Sequence, residues 1–168
     1  MGEEDDIALI EQMLDGADLL LDATAEIAIQ QMLGDVCREA GIPQVFLWGS
    51  EGAYGGVVAR VLPSKTGCWF CLQLAFEDEL IPTPPLEATG TTQPRGCGMP
   101  TFTGESFNLL PIVAQAARTA TATLLGMLPV GEDVFVLSFR DGDRPLAAPS
   151  WSSHSLEPHP RCPHCSQR

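Results

Sequence analysis

Positive charge is scarce in this sequence. Its 168 residues include a single lysine, Lys65, and nine lysine and arginine residues in total, against 22 aspartate and glutamate residues, which gives a net charge of −13. A surface of this charge repels phosphate backbones and anionic lipid headgroups. The composition therefore argues against nucleic-acid binding and against binding to a membrane.

Long apolar runs and a basic leader segment are lacking as well. No apolar run approaches the roughly 20 residues of a membrane-spanning helix. Residues 2–6 read Gly-Glu-Glu-Asp-Asp, the opposite of the basic start of a signal peptide. The sequence therefore predicts a cytoplasmic protein. In a reducing compartment, its six cysteines are expected to be thiols or metal ligands rather than disulfides.

The apolar residues follow patterns that predict an α/β domain. Residues 17–22 and 44–48 are short apolar runs typical of strands buried on both faces, and a helix with Thr24 as its N-cap is predicted between them. This strand–helix–strand order is half of a parallel α/β layout. Later in the chain, the sequence predicts strands over 57–62 and 134–139 and a helix over 106–126.

The chain is long enough for one domain with a hydrophobic core. We assign residues 1–145 to a partial α/β domain in which residues 76–104 form a long crossover loop rich in proline and threonine. Loops of that length are commonly functional or disordered. We assign residues 146–168 to a polar C-terminal tail that carries a second cysteine pair.

Two Cys-x-x-Cys pairs indicate a metal site. Two residues between the thiolates allow both sulfurs of a pair to reach one ion, and two pairs supply the four sulfurs of a tetrahedral zinc site. The pairs are Cys68 with Cys71 and Cys162 with Cys165. Because the pairs are far apart in the chain, zinc would tie the tail to the middle of the fold and contribute to stability.

Other interpretations of these cysteines remain open in the sequence. A single pair can be a redox dithiol with a lowered thiol pKa, and thiols can also be idle. His164 lies between two predicted ligands and His159 lies close by, so either can replace a cysteine. A tail too polar to pack by itself favours zinc held by four cysteines.

Cys97 belongs to neither pair and is a candidate nucleophile. It lies between Gly96 and Gly98 at the end of the proline-rich loop, where flanking glycines leave room for a bulky acyl group and Arg95 favours the thiolate. The alternative is an incidental loop cysteine. Cys37 lies on an apolar-rich helix and is predicted to be a core thiol.

Four features occur in an order that is typical of one enzyme family. They are the strand end Leu19–Thr24, the glycine-rich Gly52–Val61, the two Cys-x-x-Cys pairs, and Gly96–Gly98 followed by a helix of small residues. Together they resemble the C-terminal half of the ThiF/MoeB/HesA adenylyltransferases, relatives of ubiquitin-activating enzymes. Residues 96–104 are similar to bacterial members that accompany proteins resembling ubiquitin-conjugating enzymes and deubiquitinases.

The resemblance implies a Rossmann-like α/β fold with a mixed sheet, flanking helices, a crossover loop and a four-cysteine zinc site. It implies an enzyme that adenylates the C-terminal carboxylate of a ubiquitin-like or sulfur-carrier protein with ATP and Mg²⁺. A cysteine then takes the acyl group as a thioester, and Cys97 matches the loop cysteine of the family. A protein similar to a conjugating enzyme is a further expected partner.

The chain departs from the family at the nucleotide site. The phosphate-binding G-x-G-x-x-G between a strand and a helix does not occur in the sequence. The family's DATDN motif has a second aspartate that serves the metal, and Ala25 stands at that position. Asp22, Thr24 and Glu26 remain the candidate nucleotide-binding residues. The alternatives are a structural role at the strand end for Asp22 and a role in the first helical turn for Glu26.

These departures indicate a half-site. ATP and Mg²⁺ are expected to bind only together with a missing N-terminal half, and the isolated chain is expected to be inactive. An exposed sheet edge would then predict a homodimer or a complex with a nucleotide-binding half. A split gene product, a natural short form and a fragment all remain open. The alternative function is a non-catalytic, zinc-stapled module that binds a ubiquitin-like or conjugating-enzyme partner.

Overall fold

The computed structural model describes residues 9–10, 12–86, 91–92, 101–102, 104–129 and 131–165. A short helical stretch at residues 9–10 and 12–14 comes first. The later elements are β1 (Leu20–Asp22), α1 (Ile27–Ala40), β2 (Gln44–Gly49), β3 (Gly55–Val61), α2 (Trp69–Glu77), β4 (Thr91–Thr92), β5 (Thr101–Phe102), α3 (Ser106–Leu124), β6 (Val134–Asp141) and β7 (Arg144–His154). No helix in this part of the chain is long and apolar enough to cross a bilayer.

Five of the strands form one mixed sheet in the order β1-β2-β3-β6-β7. β1 and β2 are parallel, so β1–α1–β2 is the parallel unit that the sequence predicts. The glycine-rich segment forms an antiparallel β2–β3 hairpin, in which Phe46 lies opposite Ala59. β6 and β7 continue the sheet in antiparallel register. The predicted fold class, α/β with a mixed sheet and flanking helices, is confirmed.

Helices pack on both faces of this sheet. On one face, Phe46 and Val57 belong to an apolar cluster that includes residues of α2. On the other face, Val58 packs in a second cluster with Ile112 of α3. Because both faces are covered, β3 is buried along its entire length, as is typical of a central strand in an α/β sheet.

Gly56 allows α3 to lie close to the sheet. A Cβ atom at this position would collide with Cδ1 of Ile112 and would lie 2.6 Å from the carbonyl oxygen of Trp48. No side chain can replace this glycine without moving α3 or β2. Packing therefore explains the glycine at position 56 of the glycine-rich segment.

The first strand and the start of α1 differ from the prediction. β1 covers only part of residues 17–22, and Leu21 is 47 % exposed because β1 lies at the edge of the described sheet. Glu26 rather than Thr24 is the N-cap of α1, and its carboxylate accepts a hydrogen bond from the backbone N–H of Ile29 at 2.8 Å. A negative charge at this place is also favoured by the helix dipole.

The polar segment after Pro145 contains a strand that the sequence analysis did not predict. β7 pairs with β6, with Trp151 opposite Leu137, although nearly all of its side chains are exposed. Backbone pairing with a buried neighbour holds the strand, so no apolar alternation marks it in the sequence. β7 runs across residues 145–146, where the predicted tail begins, and the division into two domains stays a prediction.

A buried ion pair joins β3 to the start of β6. Arg60 Nη2 lies 2.7 Å and Nε 3.2 Å from Oδ1 of Asp133, and both side chains are almost fully buried. Asp133 Oδ2 also accepts a hydrogen bond from the backbone N–H of Leu156 at 3.3 Å. The pair therefore ties the chain beyond β7 to the middle of the sheet. No pattern in the sequence predicts that Arg60 and Asp133 form an ion pair.

The substitution Arg60→Met is expected to lower the free energy of unfolding by about 3–5 kcal/mol, because it leaves the Asp133 carboxylate buried without its partner. The matched control is Arg144→Met, which removes an exposed ion pair with Asp141 and is expected to cost less than about 1 kcal/mol. Urea unfolding followed by circular dichroism measures both values. Equal losses in the two variants would contradict this assignment.

Candidate metal centre

The first cysteine pair lies at the N-terminal end of α2. Cys68 is the N-cap and Cys71 lies in the first turn, and their Sγ atoms are 3.7 Å apart. The first two ligands of the predicted site therefore lie at the start of a helix. The positive end of the helix dipole favours thiolates at this position.

The second pair lies in the turns after β7, held against α2. Leu156 is buried in the cluster that includes α2, and its carbonyl accepts a hydrogen bond from the N–H of Gly67 at 2.6 Å. A Cβ atom at Gly67 would lie 2.6 Å from the carbonyl oxygen of Glu157 and 2.8 Å from Cβ of Cys71. Glycine is therefore needed for the C-terminal segment to approach the first pair.

The four sulfur atoms form one cluster. The Sγ atoms of Cys68, Cys71, Cys162 and Cys165 all lie within 4.8 Å of one another, with three of the residues buried and Cys165 half-buried. Cys68 Sγ lies 3.5 Å from Cys162 Sγ. Four sulfurs bound tetrahedrally at about 2.3 Å from zinc would be about 3.8 Å apart, so the donor set fits such an ion. The structure confirms that these four cysteines are placed to hold a metal ion.

Neither histidine of the C-terminal segment takes part in the sulfur cluster. His159 Nε2 lies 3.0 Å from Oδ2 of Asp78, and the ring of His164 packs edge-on against Phe70. The backbone N–H of His159 donates instead to Sγ of Cys71 at 3.3 Å. Such a donor stabilises a thiolate and orients it toward a metal.

Asp78, at the C-terminal end of α2, holds the C-terminal segment through contacts with two of that segment's side chains. Its carboxylate accepts hydrogen bonds from both His159 and Arg161. The backbone N–H of Arg161 donates to Nδ1 of His159 at 3.2 Å, so Nε2 is the ring nitrogen that donates to Asp78. The C-terminal segment is thus fixed at both ends of α2. The sequence analysis missed this contact, because no local pattern marks Asp78 as a partner of such distant residues.

Protons and a metal ion compete for these sulfurs. A hydrogen bond with Cys71, together with burial, raises the pKa of Cys68. Burial also raises the pKa of Cys165, and charge on Cys68 adds to that effect. Because metals bind the thiolate form, the affinity of the cluster for a metal is expected to fall as the pH falls.

Asp22, Thr24 and Glu26 lie at the C-terminal end of β1, but their oxygens are engaged within the chain. Oδ1 of buried Asp22 accepts hydrogen bonds from the backbone N–H and the hydroxyl of Thr24 at 2.9 and 2.8 Å. Its Oδ2 accepts one from the amide of Gln44 at 3.4 Å. Ala25 has a φ of +54°, a conformation that is costly for any residue except glycine. The strained turn lies where parallel strands end, the usual place for ligands in α/β sheets.

Of the two remaining cysteines, Cys37 lies among the described residues and Cys97 does not. Cys97 lies outside the described residues, so its predicted role as a nucleophile stays a prediction. Cys37 is buried in α1, as predicted for a core thiol. Burial, with a smaller contribution from the charge of Asp22, raises the pKa of Cys37 to about 11. This thiol is therefore protonated and unreactive at neutral pH.

No protein-family model matches the chain. Among curated proteins, the chain is 32 % identical over 152 residues to the uncharacterized protein y4oA of Sinorhizobium fredii (strain NBRC 101917 / NGR234). It is 32 % identical over 161 residues to the uncharacterized protein y4qC of the same strain. These matches cover 89 % and 91 % of the chain but 26 % and 27 % of the relatives. The chain thus spans about a quarter of the length of the curated relatives it matches.

Several solved structures share the fold. Escherichia coli MccB with succinimide has a TM-score of 0.55 at 14 % identity, over 94 % of this chain and 43 % of MccB. MccB with ATP has a TM-score of 0.52 at 14 % identity, over 92 % and 42 %. PaaA has a TM-score of 0.54 at 13 % identity, over 88 % and 46 %. At these identities the likeness shows the fold alone, which is the α/β fold of MccB and PaaA.

We expect the purified chain to carry about one metal ion, and Cys162→Ser to carry almost none, because three sulfurs cannot close the site. Elemental mass spectrometry measures both the amount and the identity of the metal. Cys37→Ser is the control, since this cysteine lies away from the cluster, and it is expected to keep the metal. A chelator should lower the thermal unfolding midpoint of the unmodified chain but not that of Cys162→Ser. Equal metal content in all three proteins would disprove the assignment.

Proposed function

We propose that the four cysteines hold a structural zinc ion in part of an ATP-dependent adenylyltransferase. The substrate of that enzyme is the C-terminal carboxylate of a ubiquitin-like or sulfur-carrier protein, activated in the cytoplasm. The observation that carries the proposal is the four-sulfur cluster between α2 and the C-terminal segment, on a fold shared with MccB and PaaA. A nucleotide-binding half or a second copy completes the site.

The donor set supports zinc in a structural role. Four soft sulfur ligands at tetrahedral spacing suit zinc or an iron–sulfur cluster, and the sulfur spacing here matches a single ion. Catalytic zinc keeps one position open for water or substrate, whereas four cysteines leave none. Zinc would therefore supply folding stability, and any reaction would take place elsewhere on the chain.

The solved neighbours support adenylyl transfer as the chemistry. MccB structures include complexes with ATP and with AMPCPP and MccA, and MccB is described as a microcin C7 biosynthetic enzyme. In the reaction proposed here, an oxygen of the substrate carboxylate attacks the α-phosphorus of ATP. The bond to pyrophosphate breaks, which leaves an acyl adenylate and pyrophosphate.

Within this chain, the turn at the end of β1 is the part proposed to face the nucleotide. The Asp22 carboxylate holds Thr24 by two hydrogen bonds, so it sets the shape of the turn. Glu26 is engaged as the cap of α1 and positions the helix. Magnesium and phosphate ligands would then come mainly from the nucleotide-binding half.

Cys97 is proposed to accept the acyl group in a second step. Its thiolate would attack the acyl carbon of the adenylate, and AMP would leave with the electron pair of the broken bond. The product is a thioester, which keeps the acyl group reactive toward a lysine or toward the cysteine of a protein similar to a conjugating enzyme.

A non-catalytic module is the second candidate function. The engaged oxygens of Asp22 and Glu26, and Ala25 where the family has a metal-binding aspartate, favour it. In this case the zinc-stapled fold would bind a ubiquitin-like or conjugating-enzyme partner without turnover. The two candidates differ in whether an acyl group is ever bound to Cys97.

Titration of the chain with ATP and Mg²⁺ in a calorimeter is expected to give no binding below the millimolar range, because the sequence has no G-x-G-x-x-G loop. ADP and AMP titrations under the same conditions are the controls. Binding of ATP at micromolar affinity would contradict the half-site and make the chain an enzyme in its own right.

A thiol-labile acyl adduct is expected on Cys97 when the protein is isolated, under acidic, denaturing and non-reducing conditions, from cells that also produce the nucleotide-binding half. Intact-mass spectrometry before and after addition of dithiothreitol detects it. Cys97→Ser should lose the thiol-labile adduct and can retain only an ester that resists dithiothreitol. Cys37→Ser should behave like the unmodified protein. If no thiol-labile adduct forms, the transfer step fails and the non-catalytic candidate gains support.

A further inference from the structure

The sheet face that packs on α2 changes from apolar to polar along β6. Val136 belongs to the apolar cluster of that face. Alternate residues of a strand share a face, so Ser138 continues it. The pairing with β7 shifts register between Ser138 and Arg140, and Arg140 still lines the same cavity as Val136 and Ser138. On β7, Ser150 lies opposite Ser138 and Ser152 lies opposite Val136. Hydroxyl groups of both strands therefore lie on the same part of the sheet.

These residues line a cavity of about 320 Å³ between the outer strands and residues 82–85. Pro82 and Pro85 form part of its wall, and proline has no backbone N–H to offer a ligand. No aspartate or glutamate is among the described residues that line it. The polar groups of the cavity are thus hydroxyls and one guanidinium, that of Arg140.

Arg140 lies over the ring of Tyr54 and has no anionic partner among the residues that the structure describes. Its guanidinium carbon lies 3.6 Å from the centre of the Tyr54 ring, a cation–π contact that holds the group over the ring without using its N–H donors. Among the described residues, Arg60 and Arg144 each pair with an aspartate, whereas no carboxylate lies within ion-pair distance of Arg140. In the described part of the chain, Arg118 of α3 has no ion-pair partner either, so what distinguishes Arg140 is its place in this cavity.

The chemistry of the cavity suits a carboxylate. A planar guanidinium donates two parallel hydrogen bonds to a carboxylate. The hydroxyls of Ser138 and Ser152 are engaged with the Arg140 backbone and with Nε2 of His154. Among the described serines of this face, Ser150 is therefore the one whose hydroxyl remains to donate to the same carboxylate. The adjoining strand β7 is the last of the described sheet. Its outer edge can therefore align an extended peptide by backbone hydrogen bonds.

We propose that this cavity binds an acidic side chain carried on an extended segment of a partner protein, with Arg140 as the anchor. The site uses neither ATP nor the sulfur cluster. Its failure can therefore be separated from failure of the proposed adenylyl transfer.

The test is a titration of the ¹⁵N-labelled chain with the peptide acetyl-Ala-Val-Glu-Val-Ala-amide, followed by NMR. The Nε–Hε signal of Arg140 and the amide signals of Ser150 and Ser152 are expected to shift. The same peptide with Gln in place of Glu should bind roughly tenfold more weakly or worse, because the charge-assisted hydrogen bonds are lost. Arg140→Gln should reduce binding of the Glu peptide to a similar degree.

Two further variants make the result specific. Arg144→Gln removes one positive charge from the neighbouring β7 and should leave binding unchanged. Arg140→Lys keeps the charge without the planar fork and should bind with intermediate affinity. The unfolding midpoint of each variant is measured alongside.

Three results would overturn the proposal. The Glu and Gln peptides could bind equally, or Arg140→Gln and Arg144→Gln could lose equal affinity. Inorganic phosphate could also produce the same shifts at lower concentration than the Glu peptide, which would make the cavity a site for free anions instead.

Discussion

The sulfur cluster is the constraint on which the C-terminal part of this chain depends. After β7, Leu156 and Cys162 are the buried apolar residues among those described, too few to offset the entropy lost when the segment becomes ordered. Four thiolates around one ion can supply that free energy, because the ion binds the folded arrangement and not the unfolded chain. Gly67 contributes because its lack of a side chain allows the backbone at Glu157 to approach the cysteine pair at the start of α2. The four sulfurs and the close packing at Gly67 therefore hold the same segment in place.

Paired charges reinforce the same connection. Arg60 and Asp133 join the sheet to the residue that starts the C-terminal segment, and Asp78 joins the far end of α2 to Arg161. The ion pair of Arg60 and Asp133 is buried, and its main effect is to specify this arrangement of the chain, since each buried charge is costly without the other. The second pair is exposed and contributes less.

The parts of the fold that could be predicted are those with local signals. Apolar runs gave β2 and β6, helical spacing gave α1 and α3, and the Cys-x-x-Cys spacing gave the metal ligands. The missed parts depend on contacts between distant residues. β7 is held by backbone pairing to β6, and Arg60 meets Asp133 only in the folded sheet. Thr24 has the chemistry of an N-cap, but its hydroxyl is bound to Asp22, so Glu26 takes that role.

The sulfur cluster at the start of α2 and the turn after β1 are connected through α1. The indole N–H of Trp69, next to Cys68, lies 3.5 Å from the side-chain oxygen of Gln30 on α1. One turn further along α1, a Cβ atom at Gly34 would lie 3.2 Å from Oε1 of Gln44 and 3.4 Å from Cβ of Trp69. The same Gln44 donates to Asp22. Three elements thus meet at positions where little movement is tolerated. A structural ion at the start of α2 would therefore also restrict the turn after β1, although it would lie outside that turn. In this way a closed zinc site would matter to chemistry at the strand end.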